Sequence, residues 1–152
     1  MENTNAKVYL SIYGESFPIK ELSDILELEP TESYKKGDEI LVKPSPHYHY
    51  EGRRFRKETS WELGTDYEET YELEEQINKV LIQLKNKEEL ITNFCEEYNL
   101  KCLFMIVIKM NNGETPVVGI SHEFVKMAYQ LGAEIHFDLY ANPYKSDFEL
   151  TR

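Results

Sequence analysis

The chain has 152 residues, 41% of them hydrophobic, which is enough to build one domain around a single core. Its 28 acidic residues outnumber 17 basic ones, and the net charge of −11 argues against nucleic acid as the main partner, because phosphates would be repelled over most of the surface. No window approaches a membrane span and the N-terminus does not resemble a signal peptide, so we expect a cytoplasmic protein without a membrane partner.

The first part of the chain predicts a strand, a helix and a long irregular segment. Residues 7–14 alternate between apolar and polar, which is typical of a strand with one buried face. Ser16 can cap the following helix, with Pro18 in its first turn. Residues 31–56 predict a long loop or a protruding hairpin. Residues 57–63 alternate again and predict a second strand.

Helical periodicity follows, and then the most apolar stretch of the sequence. Two amphipathic stretches cover residues 70–84 and 90–98, and Asn99 suits a left-handed helix end. Residues 101–110 contain seven consecutive apolar side chains between two lysines. This run predicts a central strand that is buried on both faces.

The last part predicts one more helix and one more strand. Ser121 caps the helix and Gly132 ends it. Its expected buried stripe is Phe124, Val125, Ala128, Tyr129 and Leu131. Residues 133–140 then alternate, with Ile135, Phe137 and Leu139 expected to face the core.

The order of the elements predicts a single α+β domain over residues 1–152, a two-layer sandwich of ferredoxin-like type. The element order predicts two βαβ units. The second strand of the first unit is formed by residues 57–63, and that of the second unit by residues 133–140. The helices would lie mainly on one face of a mostly antiparallel sheet, with residues 1–6 and 143–152 loosely ordered. The competing topology has helices on both faces, and alternation in the first and last strands counts against it.

Several motifs occur together along nearly the whole chain. They are Val8-Tyr-Leu-Ser-Ile-Tyr-Gly14, Leu28-Glu-Pro30 followed by Gly37-Asp38, Lys57-Glu-Thr-Ser-Trp61, Leu73-Glu-Glu-Gln-Ile77, Gly113-Glu-Thr-Pro116 with Gly119-Ile-Ser121, and Ala133-Glu-Ile-His-Phe-Asp-Leu-Tyr140. Together they resemble the bacterial family known as domain of unknown function 4279. The resemblance implies a small cytoplasmic bacterial domain without an assigned reaction, and a candidate immunity protein. It carries over no catalytic residues.

The outward residues of the first and last strands form the candidate binding surface. They are Tyr9, Ser11, Tyr13, Glu134, His136, Asp138 and Tyr140. Tyrosine offers a stiff contact area with a polar tip, and it is enriched at interfaces. An equally weighted alternative is that these tyrosines pack under residues 31–56 as a small second core.

A second candidate surface is basic. Residues 35–57 contain seven basic and three acidic residues, a local charge of +4 that leaves −15 for the rest of the chain. The patch consists of Lys35, Lys36, Arg53, Arg54, Arg56 and Lys57. We treat it as secondary to the acidic surface.

Metal and catalytic motifs are weak. His47 and His49 could share a metal, but no further ligand stands at a suitable spacing, so we expect no metal and no cofactor. Cys95 and Cys102 fit neither a disulfide framework nor a zinc site, and we expect reduced, buried residues. No nucleophile motif or phosphate-binding loop appears, which leaves the enzyme hypothesis third.

The sequence therefore favours a non-enzymatic protein that binds a basic protein partner, an acidic interaction or immunity-type domain. The alternative is a regulatory domain that binds a small molecule in a crevice beside residues 31–56. The sequence leaves self-association open.

Overall fold

A computed structural model describes residues 3–41 and 52–141, within which the chain forms six strands and four helices. The strands are β1 (Asn5–Gly14), β2 (Glu32–Tyr34), β3 (Thr59–Gly64), β4 (Glu68–Glu69), β5 (Lys101–Met110) and β6 (Glu134–Ala141). The helices are α1 (Ile19–Leu26), α2 (Leu73–Leu84), α3 (Glu88–Tyr98) and α4 (His122–Leu131). None of these helices is long and apolar enough to cross a membrane.

The strands form one sheet in the order β2-β3-β1-β5-β6, and β4 pairs with the start of β1. Every pairing is antiparallel except that of β5 with β6. The prediction of an α+β domain with a mostly antiparallel sheet is therefore confirmed. The single parallel pair is joined through α4, as expected for a βαβ unit.

The first βαβ unit is closed by a different strand from the one expected. Residues 57–63 lie almost entirely in β3, but β3 is an antiparallel neighbour of β1. Because β2 is antiparallel to β3, β2 runs parallel to β1 with β3 between them. The strand that closes the unit thus lies inside residues 31–56, where the sequence predicted a loop or hairpin.

All four helices pack on one face of the sheet. On this face Trp61 of β3 donates its indole N–H to Ser23 of α1 at 3.0 Å, and Phe104 of β5 lies 5.0 Å from Phe124 of α4. The largest fully buried side chains are Trp61, Phe104, Phe124, Leu10, Ile12, Leu22, Leu26, Leu73, Ile77, Leu84, Ile91 and Ile106. The competing topology, with helices on both faces, is therefore wrong for the described residues.

The helix ends agree with the sequence at α3 and α4 and differ at α1. Ser121 accepts a hydrogen bond from the backbone N–H of Phe124, and Asn99 and Gly132 end their helices with positive φ angles of 55° and 62°. Ser16 does not cap α1, because that helix begins only after Pro18 and has no side-chain cap.

The N-terminal end of the described chain holds one further difference. Residues 3–6 were expected to be loosely ordered, but Thr4 and Ala6 are buried, and Thr4 donates a hydrogen bond to the carbonyl of Glu114 at 2.7 Å. The prediction for residues 143–152 lies outside the described residues.

Several side chains expected in the core are exposed. Phe137 and Leu139 of β6 lie on the helix side of the sheet but are 43% and 56% exposed. Val125 and Tyr129 of α4 are exposed as well, while Met127 takes a place in the core. The helix layer therefore stops short of the edge of the sheet at β6.

Candidate functional site

The sheet face opposite the helices, here called the open face, carries every residue of the predicted binding surface. Ser11 of β1 lies opposite Leu103 of β5, and Leu103 lies opposite Glu134 of β6, so the three side chains form one row. Alternation along each strand puts the other members on the same face. The set is Tyr9, Ser11 and Tyr13 from β1 with Glu134, His136, Asp138 and Tyr140 from β6.

β5 separates the two halves of this surface. Two strand spacings place the β1 and β6 side chains about 10 Å apart. Between them lie Leu103 and Met105, which are half-buried, and Val107, which is buried. The prediction that β5 is buried on both faces is therefore only partly correct. Part of its apolar strip is exposed on the open face, between the tyrosines of β1 and the acids of β6.

Ser11 is not available to a partner. Its hydroxyl lies 3.0 Å from that of Ser60 on the neighbouring strand, and both residues are buried. One hydroxyl donates a hydrogen bond to the other, which gives both buried oxygens a partner. Ser11 therefore stabilises the sheet and drops out of the candidate surface.

A cluster that the sequence analysis did not identify lies where β1, β3 and β2 meet. It consists of Tyr9, Glu32, Tyr34, Glu62 and Tyr67, here called the acid–tyrosine cluster. Glu32 and Glu62 are directly opposed across β2 and β3. The alternation of residues 57–63 already placed Glu62 on the outward side, but nothing in the sequence showed that β2 would place a second carboxylate opposite it.

Burial and like charge act together in this cluster. Burial raises the pKa of Glu62, and repulsion by Glu32 raises it further; Lys7 and Arg56 act in the opposite direction without cancelling the shift. Burial, followed by the negative charge of Glu62, raises the pKa of Tyr9 to about 12. The cluster is therefore a partly desolvated site that disfavours additional negative charge.

Three cations of the chain lie against the tyrosine rings. The Lys7 ammonium is 5.2 Å from the centre of the Tyr9 ring, Lys109 is 4.1 Å from that of Tyr67, and the Arg56 guanidinium is 3.9 Å from that of Tyr34. These distances are within the range of cation–π attraction. The rings of the open face are thus already suited to cationic groups.

The β6 side of the open face is acidic and exposed. Glu134 lies 2.7 Å from His136, and Tyr140 donates its hydroxyl proton to Asp138 at 3.0 Å. This hydrogen bond, together with the negative charge of Asp138, raises the pKa of Tyr140. The four side chains form local pairs along one edge strand, and each remains accessible.

The predicted basic patch lies on a two-stranded ribbon that extends beyond β2 and β3. Backbone hydrogen bonds link Gly37 with Arg56 and Ile40 with Arg54, each at 2.8 Å. Lys36 pairs with Glu15 at 2.9 Å, and Arg53 lies 3.7 Å from Glu39. Acidic neighbours thus offset part of the patch charge.

A cleft of about 720 Å³ lies against this ribbon. Its lining is Tyr34, Ile40, Arg53, Arg54, Phe55, Arg56, Lys57 and Glu58. Lys35 and Lys36, the other members of the predicted patch, do not line it. The cleft combines apolar surface with four basic side chains, a lining suited to an anionic ligand.

Metal ligands do not come together in the part of the chain that the structure describes. Residues 3–41 and 52–141 contain no group of three or more His, Cys, Asp or Glu side chains able to hold a metal ion. His47 and His49 lie outside those residues.

The two cysteines contact each other, which their spacing in the sequence did not indicate. The sulfur of Cys95 in α3 lies 3.6 Å from that of Cys102 in β5, and both are free thiols. The hydrogen-bonding contact between the two sulfurs lowers the pKa of Cys95 and, together with burial, raises that of Cys102. Cys102 is buried, as expected, whereas Cys95 is only half-buried.

Fold and surface together define an α+β domain with an open, tyrosine-rich sheet face. Comparison with protein families gives a match to Domain of unknown function (DUF4279) over residues 3–142, and the chain belongs to that family. A search of curated proteins and a search of solved structures give no match.

Proposed function

We infer that this domain is a non-enzymatic binding protein whose open face receives a basic protein partner. The observation that carries this inference is the direct opposition of Glu32 and Glu62. Like charges directly opposite each other destabilise a sheet, and the pKa of Glu62 is raised, first by burial and then by the charge of Glu32, although Lys7 and Arg56 act to lower it. A lysine or arginine from a partner, placed between the two carboxylates, would relieve that repulsion.

The rest of the open face supports the same kind of partner. Tyr9, Tyr34 and Tyr67 present rings that already lie against cations of the chain. Glu134 and Asp138 add exposed negative charge at the other end of the face. A net charge of −11 would accelerate encounter with a basic protein.

Two observations favour binding over catalysis. Ser11 is buried in a pair with Ser60, and Ser121 serves as a helix cap, so both serines have structural roles.

The motifs of the sequence point to a bacterial cytoplasmic setting. In that setting, an immunity-type protein that covers a basic toxin is the biological role we propose.

The experiment compares two charge reversals in a capture assay. The immobilised domain is exposed to a lysate of the source organism, and captured proteins are identified by mass spectrometry. Glu134→Lys/Asp138→Lys alters the open face, whereas Glu96→Lys/Glu97→Lys makes the same charge change on α3. We expect the open-face variant to lose the partner and the α3 variant to keep it, since exposed substitutions typically cost under about 0.5 kcal/mol of stability.

Association kinetics of the purified pair provide a second readout. Association should slow markedly as salt rises to physiological concentration, while dissociation changes less. An association rate indifferent to salt and to the open-face reversal would contradict the proposal. Capture of nucleic acid through the basic patch would contradict it as well.

The ribbon cleft favours a second candidate function, the binding of a small anion. Its support is the lining by four basic side chains beside Tyr34 and Phe55. Titration with inorganic phosphate and with citrate, followed by NMR, should shift the resonances of residues 53–57 if this function is correct. Arg53→Ala/Lys57→Ala should then weaken the response while leaving the open-face partner bound.

We also propose that β1 to β5 belong to the ferredoxin-like class. The support is the strand order β2-β3-β1-β5 with antiparallel neighbours, in which β3 separates the parallel strands β1 and β2. In this proposal α4 and β6 extend the sheet by one parallel strand.

A further inference from the structure

The outer edge of β6 is a long strand edge without a partner among the described residues. β6 ends the sheet order, and no strand within residues 3–41 and 52–141 pairs with its outer side. Its eight residues, Glu134–Ala141, include no proline and no lysine, the residues that most often protect an edge. The opposite edge, β2, has only three residues. β6 is therefore the edge of this sheet best suited to pair with another strand.

The helix side of this edge is apolar and uncovered. Ile135, Phe137 and Leu139 point toward the helix layer, yet Phe137 and Leu139 are 43% and 56% exposed. α4 is the helix over this part of the sheet, since its Phe124 contacts Phe104 of β5. No described element beyond α4 covers Phe137 and Leu139.

The outer flank of α4 also carries an exposed apolar side chain. One flank of α4 faces α2 across a surface groove, where Glu123, Lys126 and Gln130 lie. At about 100° per residue, Val125 falls on the opposite flank, toward β6, and it is 51% exposed. The outer edge of β6 therefore has unpaired backbone groups among the described residues, and exposed apolar side chains of β6 and α4 lie on the helix side of the sheet.

We propose that a second copy of this chain pairs with this edge, β6 against β6, antiparallel about a two-fold axis at Phe137. A two-fold axis perpendicular to the sheet puts the open faces of both copies on the same side. Side chains that face each other across the axis must therefore lie on the same face of the sheet, so even-numbered residues of β6 pair with even-numbered ones and odd with odd. At this centre His136 faces Asp138 of the second copy, and Ile135 faces Leu139. Phe137 then faces itself, and Glu134 faces Tyr140. Every pair joins apolar with apolar or an acid with a hydrogen-bond donor.

The neighbouring registers place like charges together. If the two-fold axis lay at His136, Glu134 of each copy would face Asp138 of the other. If it lay at Asp138, the two Asp138 side chains would face each other. Like charges directly opposite each other are destabilising, so the sequence of β6 favours the register centred at Phe137 over both neighbouring registers.

The dimer would join two sheets into one. The order would run from β2 to β6 in one copy and from β6 to β2 in the other, with helices on one face throughout. Both open faces would then lie side by side, so that a partner with repeated basic segments could engage two acid–tyrosine clusters. The pairing itself does not depend on that partner, and it is testable without one.

Sedimentation equilibrium of the full chain provides the first test. We expect a concentration-dependent dimer. Phe137→Lys places two ammonium groups opposite each other and should raise the dimer dissociation constant at least about tenfold. Ile82→Lys, the same change at an exposed position on α2, should leave the constant unchanged. Circular dichroism and urea unfolding show whether each variant keeps its fold.

A charge swap tests the register. His136→Asp places a second carboxylate opposite Asp138 and should weaken the dimer by roughly two- to thirtyfold over its two symmetric pairs. Adding Asp138→His restores opposite partners and should recover most of the loss. A merely structural effect of His136→Asp would not be rescued in this way.

Cross-linking gives an independent measurement that does not need a tight dimer. In a Cys95→Ser/Cys102→Ser background, Phe137→Cys should form a disulfide-linked dimer on mild oxidation, because the two positions face each other. His136→Cys should not, since its counterpart would lie more than about 7 Å away. A chain that stays monomeric up to about 1 mM, or a dimer indifferent to Phe137→Lys and cross-linked equally at both positions, overturns the proposal.

Discussion

Glu32 and Glu62 face each other directly across β2 and β3, on the open face of the sheet. Glu62 is half-buried, so the repulsion is not fully screened by solvent. A stabilising choice at either position would be a neutral or basic residue. The pair is therefore a place where the local stability is lower than the fold allows.

Glu62→Gln should raise the free energy of unfolding at pH 7 by about 0.5–1 kcal/mol. The pKa of Glu62 is raised in the folded state, so its penalty is absent below the unfolded pKa and appears as the pH rises through the folded one. The increase in the free energy of unfolding should therefore be fully present at pH 7 and close to zero near pH 3.5. Urea unfolding at the two pH values measures it.

Glu97→Gln on α3 provides the control for this change, because it removes an exposed carboxylate away from the sheet. It should alter stability little at either pH. A loss of stability for Glu62→Gln at pH 7 would mean that Lys7 and Arg56 dominate the cluster. The same variant should bind the proposed basic partner more weakly, which would separate stability from function.

Phe104→Ala should cost about 3–5 kcal/mol, because Phe104 is fully buried on the helix side and packs on Phe124 at 5.0 Å. Leu103→Ala, one residue earlier, changes a half-buried side chain on the open face and should cost clearly less. Urea unfolding of both variants measures the difference. Equal losses would show that the open face is buried as deeply as the core.

Much of the fold was predictable because periodicity reports burial. The alternation of β1, the apolar run of β5 and the helical stripe of α2 each came from local pattern, and each lies where expected. The capping of α4 by Ser121 was predictable for the same reason, since it depends on neighbouring residues alone.

What the sequence could not show depends on pairing between distant segments. β2 has only three residues, Glu32–Tyr34, without an apolar pattern, so its pairing with β3 and hence the acid–tyrosine cluster left no local signal. In α4 and β6 periodicity put Val125, Phe137 and Leu139 in the core. Periodicity shows which way a side chain faces, but it does not show whether another element covers it.

Gly64→Ala should destabilise the domain by about 2 kcal/mol or more, because the new methyl group would overlap the Val8 carbonyl and the Tyr9 side chain on the adjacent strand. Gly119→Ala is the matched control, since nothing lies within 4 Å of the added carbon there. Thermal unfolding should show a large fall in the melting temperature for the first variant and almost none for the second. Similar melting temperatures for the two variants would contradict the close pairing of β1 with β3.

Cys95 should react with iodoacetamide before Cys102 at pH 7.5. Cys95 is half-buried, whereas Cys102 is buried. The contact between the two sulfurs lowers the pKa of Cys95 and, together with burial, raises that of Cys102. More Cys95 is therefore present as the reactive thiolate. Mass spectrometry of the alkylated chain over time gives both rates.

Two substitutions at Cys102 test the cause of that reactivity. Cys102→Ala removes the hydrogen-bonding partner of Cys95, so the pKa of Cys95 should rise and its alkylation at pH 7.5 should slow several-fold. Cys102→Ser keeps a hydroxyl donor at the same place and should preserve most of the rate. As the pH rises far enough to deprotonate Cys95 fully in each variant, the three rates should converge. A rate for Cys102→Ala equal to that of the unmodified chain at pH 7.5 would show that exposure alone, and not the hydrogen bond between the two sulfurs, controls Cys95.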